Sequence, residues 1–395
     1  MPPRSSPRKL PVLSPGARVA CAAAIATLVS PAGAAILQFG PEQLVLAGGV
    51  ELVVSGYSAP TTADWNNDGL LDLVIGEGGG GYPGKVRVYL HTGIPGAEYS
   101  TFTYVQSSGV DLTVPGGGCQ GAVPRVVYWD ADDRKDLLVG RADGAVLIYF
   151  NIGSDVAPTF DGGTWVQVGP PGGKVNIDVG DRANPLVVDW NRDERKDLLI
   201  GGLDGKLRLY LNEGSNDAPD FRVGAVLQAG ATDLIVSSGR ASPLFVDFTF
   251  DGKRDLVAGN TEGQLLLYEN HGSDSAPLFA GYVELTTAGA PINLPGTPRS
   301  RPWVCYWNPD SAPDVLLGAY GGKVHLYLGR FRLADLNCDM LLDFNDITPF
   351  ALALSDPAAY QQQFPHCEIL NGDLNGDGRV DMGDVNPFVA ALTGS

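Results

Sequence analysis

The stretch DWNRDERKDLLIGGLDGKLRLYLNEG, residues 189–214, decides how this chain is read, because close variants of it return four more times. The shared phrase runs D-W-N-x-D-G-x-x-D-L-L-I-G and then G-K-V-x-L-Y-x-N-x-G, with anchor aspartates Asp72, Asp136, Asp197, Asp255 and Asp314. Successive anchors lie 64, 61, 58 and 59 residues apart, too far for a two-helix repeat and suited to a four-stranded unit. In the third copy Pro185 to Asp189, Asp197 to Gly201 and Lys206 to Leu211 are apolar or alternating runs bounded by Gly, Asn and Asp, which predicts three strands. Pro158-Thr159-Phe160, Pro219-Asp220-Phe221 and Pro277-Leu278-Phe279 follow Asn-x-Gly turns and are expected to open a fourth. Small sheets of this kind bury their faces by radial repetition, so the chain is expected to be mainly β, with residues 35–330 forming a β-propeller of about five four-stranded blades. An open or oligomer-completed ring is the alternative. Trp65, Trp129, Trp190, Phe248 and Trp307 share one register, and Tyr89, Tyr149, Tyr210, Tyr268 and Tyr327 another. Aromatics repeated in every copy read as packing positions between blades.

Length and composition agree with this. The 395 residues exceed what one core organises, and 52 Gly and 29 Pro against 18% charged residues describe short elements joined by turns rather than long helices. The net charge of −18 argues against nucleic acid or an anionic membrane surface as partner. Arg4, Arg8, Lys9 and Arg18 precede an apolar run from Val19 to Val29, and Ala32-Gly33-Ala34 offers small residues for cleavage. Residues 1–34 therefore read as a secretory signal peptide too short to span a membrane, which predicts a secreted, extracellular or cell-surface chain without membrane insertion. Cys119, Cys305, Cys338 and Cys367 would remain, an even number that permits disulfides; Cys338 with Cys367 is one pairing and Cys119 with Cys305 the remainder.

Acidic loops recur inside the repeats. Asp64, Asn66, Asp68 and Asp72 occupy positions 1, 3, 5 and 9 of the first loop, with Gly69 at the turn. Alternate oxygen side chains on a tight loop converge, and hard oxygen ligands at this spacing suit Ca²⁺. Asp189, Asn191, Asp193 and Asp197 repeat the set in the third copy, where Glu194 replaces the turn glycine; Asp247, Thr249, Asp251 and Asp255 repeat it in the fourth. Tyr128 and Tyr306 replace the first aspartate in the second and fifth copies, leaving Asp130, Asp132 and Asp136, or Asn308, Asp310 and Asp314, as weak or empty sites. Asx-rich turns that satisfy only their own backbone are the metal-free alternative. Any bound calcium is expected to stiffen blades, since no loop brings a base or a nucleophile.

The aspartate-rich loop followed by D-L-x-x-G resembles the FG-GAP or VCBS repeat of integrin-α-like propellers over about 290 residues. After Arg330 the pattern changes. Asp335, Asn337, Asp339, Asp343 and Asp346 fall at positions 1, 3, 5, 9 and 12, and Asp373, Asn375, Asp377, Asp381 and Asp384 repeat that order 38 residues later. An apolar helical stretch opening with Pro349 or Pro387 follows each loop. These loops are EF-hand-like, and aspartate at position 12 with no room for a preceding helix makes residues 331–395 resemble a type I dockerin domain, a small α-helical pair. The resemblance implies Ca²⁺ in both loops, bound more tightly by the second, which has Gly378 where the first has Met340. It also implies a cohesin-like protein partner read by positions 10 and 11. Those are Phe344 and Asn345, then Met382 and Gly383, not the small hydroxylated pair of cellulosomal dockerins.

His91, His271, His325 and His366 are the only histidines, and repeat registers suggest surface roles rather than catalysis. No catalytic or cofactor-binding residue is assigned beyond the calcium ligands. The leading expectation is an exported, non-catalytic calcium-binding protein with a rigid propeller surface and a docking module. The alternative is a carbohydrate-binding or glycoside-hydrolysing component of a polysaccharide-degrading assembly, with a glycan ligand on the propeller.

Overall fold

The apolar run after each anchor aspartate forms a strand buried along its whole length: Asp72–Gly79, Asp136–Gly140, Asp197–Gly201, Asp255–Gly259 and Asp314–Gly318. A strand apolar on both faces must be covered on both, which adjacent sheets do here. In the third copy it pairs antiparallel with Asn184–Val188, Val188 opposite Asp197, and with Leu207–Asn212, Leu198 opposite Tyr210. Phe221–Val226 adds the fourth strand. The computed structural model describes residues 37–393 apart from 116–119, 250, 288–289, 295, 297–298, 309–311, 331–332, 339–341, 366, 368 and 376–378. Residues 1–34, Asp310, Asp339, Met340, His366, Asp377 and Gly378 thus lie outside the described residues. No described helix is long and apolar enough to cross a membrane.

The glycine ending each D-L-x-x-G run is where one blade meets the next. A Cβ on Gly76, Gly140, Gly201 or Gly259 would come within 2.1–2.3 Å of the carbonyl oxygen of Ala122, Ala183, Ala241 or Ser300. One on Gly318 would lie 2.5 Å from that of Ser58, so the same contact returns from the fifth copy to the first. The repeated tryptophans and tyrosines pack as expected, all buried except the half-buried Trp307.

Six sheets of four or more strands form the propeller, correcting the expected five. Five carry the repeat. The sixth joins Ala290–Pro291, Thr286–Thr287, Gln38–Phe39 and Gly329–Arg330, strands from distant parts of the chain that carry no aspartate phrase, so counting phrases misses it. Phe39 pairs parallel with Thr287 there, as Phe160 does with Ser107 and Phe279 with Ala229. The same N-terminal segment supplies Gln43–Leu44 as the fourth strand of the fifth copy's sheet. Between these strands Glu42 Oε1 lies 2.7 Å from Nδ1 of His325, a buried side chain rather than the surface one expected.

Beyond the propeller the described residues form α1 (Ile347–Ser355), α2 (Pro357–Gln363) and α3 (Val385–Thr393), with short 3-10 turns. Among the described residues an α-helix follows each acidic loop and no α-helix immediately precedes one, a 3-10 turn at Ile369–Gly372 standing before the second, so the short helices do not form a clear EF-hand pair. Phe350 and Phe388 stack with centroids 4.0 Å apart, and Leu336, Ala353 and Tyr360 complete a small core. Cys338 and Cys367 are disulfide-bonded, as expected. The remainder pairing fails: Cys305 is a buried free thiol, and Cys119 lies outside the described residues.

Candidate functional site

The acidic loops are built around a clamp. Asp197 Oδ2 accepts the Trp190 N–H at 2.9 Å and Oδ1 that of Asn212 at 2.8 Å, tying the loop's start to the end of the third strand. Asp72 holds Trp65 and His91, Asp136 holds Trp129 and Asn151, Asp255 holds Phe248 and Asn270, and Asp314 holds Trp307 and Gly329 in the same way. All five carboxylates are buried. Burial pushes Asp197 up to about 6 despite its two N–H donors, with Asp193 and Asp189 adding to the rise, and it moves Asp72, Asp136 and Asp255 in the same direction.

A carboxyl that binds its proton more tightly when folded contributes stability that is lost as pH rises through its folded pKa. In chelator, the propeller's denaturation midpoint should therefore rise as pH falls from 7 to about 4.5, and Asp197→Asn should reduce that slope. At pH 7 the same substitution sets an amide NH₂ against a backbone donor and should cost about 2 kcal/mol, with or without chelator. A loss seen only with Ca²⁺ present would make Asp197 a ligand first and a clamp second.

Position 1 organises the turn. Asp64 accepts the N–H groups of Asp68 at 3.0 Å and Gly69 at 2.9 Å, and Asp189 those of Asp193 and Glu194, both at 3.0 Å. Glu194 is forced to φ 66°, the left-handed region that Gly69 enters at 86°. Asp247 takes the Gly252 N–H at 2.9 Å, while the Thr249 hydroxyl is spent on Asp255 at 3.0 Å.

Position 5 separates the copies. Asp132 pairs with Arg134 at 2.6 Å, Asp193 with Arg195 at 2.5 Å and Asp251 with Lys253 at 2.7 Å, each cation coming from two residues further along the same loop. In the first copy Leu70 stands at that place, and Asp68 receives only the Asn66 amide, at 2.9 Å, and the Leu70 N–H. Three carboxylates converge within 4.8 Å in the second copy, Asp130, Asp132 and Asp136, and in the third, Asp189, Asp193 and Asp197. The second was expected to be weak. Both clusters carry their own arginine, and their anchor oxygens accept backbone N–H groups. The first loop has no such cation. Of the fifth, Asn308 and Asp314 are described and Asp310 is not.

A second set of residues escaped the sequence reading. Lys135, Lys196 and Arg254 each immediately precede an anchor aspartate and reach back to the preceding copy's loop. Lys135 Nζ contacts Asn67, Lys196 Nζ the carbonyls of Tyr128 and Trp129, and Arg254 the Asp189 carbonyl. Asp155, Asn216 and Asp274 accept the backbone N–H of these three residues at 2.7–2.8 Å. The signal was available as a cation at one register in three copies, but only the assembled ring shows what it touches.

In the C-terminal loops, Asp346 Oδ1 accepts Leu336 and Asn337 N–H at 2.9 and 3.2 Å, and Oδ2 accepts Asp343 N–H at 3.0 Å. Asp384 repeats this with Leu374, Asn375 and Asp381 at 2.8, 3.0 and 2.9 Å. Position 12 thus folds each loop onto its own start, while Asp343 and Asp381 cap the following turn. Asp335, Asp346 and Asp384 are fully buried in a stretch, 331–395, that holds ten Asp or Glu and two Arg. Buried carboxylates with so few basic partners suit a divalent cation. Asp373 is half-buried and Asn375 exposed.

Residues 189–258 match the FG-GAP-like repeat. The match covers the third acidic loop and the strands around it, and continues through the fourth loop and most of the strand after it. No curated protein matches the chain. Among solved structures, the chain is similar to BBS1N in a crystal structure with ARL6DN soaked with lead, at 12% identity, TM-score 0.34, covering 74% of this chain and 97% of that one. It is likewise similar to the mercury-soaked form of the same complex, at 13% identity, TM-score 0.33, covering 74% and 96%. Likeness at this level carries no inference about ligands.

Proposed function

We propose that this is an exported, non-catalytic protein whose propeller offers a rigid protein-binding surface and whose C-terminal module binds Ca²⁺ and docks to a partner protein. The FG-GAP-like repeat supports the first part. The observation that carries the second is the matched exposure of Phe344 and Met382, 75% and 76% exposed at position 10 of two loops built alike. Large apolar side chains held outward from a disulfide-tied core are costly to hydrate and gain on being covered. Calcium is supported by the buried Asp335, Asp346 and Asp384, and its role is to set the loops that present these side chains.

Titrated with Ca²⁺ after chelation, the full chain should show uptake that Asp346→Ala and Asp384→Ala each diminish. The Phe344→Ala, Met382→Ala double variant should keep its melting temperature and lose at least tenfold in affinity for a partner isolated with the wild-type chain. No uptake overturns the calcium assignment, and unchanged partner affinity overturns the docking assignment.

A further inference from the structure

The seam between the fifth and first copies differs from those where a lysine or arginine reaches back to the preceding loop. Leu71 stands at the register of Lys135, Lys196 and Arg254, and Pro95 at that of Asp155 and Asp274. A cavity of about 330 Å³ lies there, lined by Leu71, His91, Pro95, Glu98, Tyr99 and Trp307 among others. Its aromatic wall is ordered: the Tyr99 and Trp307 rings lie 5.7 Å apart, and His91 meets Tyr99 edge-on at 5.3 Å. The Tyr99 hydroxyl is held by the Leu71 carbonyl at 2.7 Å, and His91 Nδ1 accepts the Gly93 N–H at 3.0 Å.

Glu98, His91 and Tyr99 are the titratable side chains that line the cavity. No Lys or Arg lines it. Its own N–H, the Gly96 N–H that it accepts at 2.7 Å and the nearby His91 ring hold the Glu98 carboxyl below its usual range. Burial, Asp72, the Cys305 thiol and Glu98 all push the Tyr99 phenol up. Aromatic faces beside a carboxylate attract ammonium and guanidinium groups.

We infer that this seam cavity takes one basic side chain, a lysine or arginine, of a protein bound to the propeller, in the place where three other seams seat Lys135, Lys196 or Arg254 from the chain itself. The inference deepens the protein-binding reading of the propeller and rests on it.

The full chain, labelled with 5-fluorotryptophan, is titrated with N-acetyl-lysine methylamide, its neutral norleucine counterpart and butylammonium, while the fluorine resonance of Trp307 is followed. The lysine probe should shift it saturably, at least fivefold more tightly than the norleucine probe and no more weakly than butylammonium. Glu98→Gln should weaken the lysine probe at least fivefold, and Leu71→Lys, which places there the cation that Lys135, Lys196 and Arg254 supply at three other seams, should abolish its binding. Equal binding of the neutral probe, or undiminished binding in both variants, overturns the proposal, and tighter binding of butylammonium overturns the protein origin of the cation. If an isolated partner binds Leu71→Lys as well as wild type, this cavity is not its anchor, although the propeller still binds proteins.

Discussion

Gly201→Ala is expected to destabilise the propeller by about 3 kcal/mol. The added methyl would lie 2.1 Å from the Ala241 carbonyl oxygen and 2.7 Å from its carbon, both backbone atoms of the next blade's approach. Neither can swing aside, so two blades packed on continuous apolar strands must separate, and the small gain from restricting the unfolded chain, about 0.4–1 kcal/mol, does not offset this. Gly202→Ala is the control. Its methyl would lie 3.0 and 3.2 Å from the ends of the Asp204 and Arg208 side chains, which can move, and 3.3 Å from the Val179 carbonyl oxygen, well beyond the 2.1 Å of the Gly201 contact. Denaturant midpoints of the two variants at unchanged slope measure the difference. Equal midpoints would show that the glycine at the end of D-L-x-x-G is not an interblade contact.

Cys338→Ser should remove about 3.5 kcal/mol from the C-terminal module, the loop-closure contribution of a bond across 29 residues. The module has few other resources: among the described residues its buried apolar side chains are Ala334, Leu336, Phe350, Ala353, Tyr360, Cys367 and Phe388. A core of that size leaves little margin once the cross-link is gone. Calorimetry of the full chain in reductant should show a low-temperature transition appear or move down, while the propeller transition stays. Calcium should partly restore it, since an ion bound only by the folded loops adds its binding free energy to stability. A thermogram identical in oxidised and reduced protein would mean that the cross-link does not support the module.

The acidic loops show how far pattern carries and where it stops. Spacing predicted which aspartates share a loop, and they do. It read position 9 as a metal ligand and did not show that Asp72, Asp136, Asp197, Asp255 and Asp314 each also accept at least two backbone N–H groups. It ranked the second loop below the first because Tyr128 replaces an aspartate, and it gave no sign that three carboxylates converge in the second beside Arg134. Ligand spacing says nothing of Arg134 or Arg195 folding back onto the carboxylate two residues before, because that depends on rotamer and local field, not on register.

The sequence by itself determined the repeat, the strand that follows each anchor and the packing role of the recurring aromatics. These follow from local periodicity and from chemistry repeated at fixed offsets, which every copy must satisfy in its own sheet. Tertiary structure alone decided the sixth sheet, because Gln38–Phe39 and Gly329–Arg330 become neighbours only when the ring closes. It alone decided that Lys135, Lys196 and Arg254 link successive loops, and that Leu71 and Pro95 leave a cavity where such a link would sit. Contacts between residues 70 or 240 positions apart are fixed by how the blades assemble, and a strand's own sequence carries no record of what its neighbour in the ring presents.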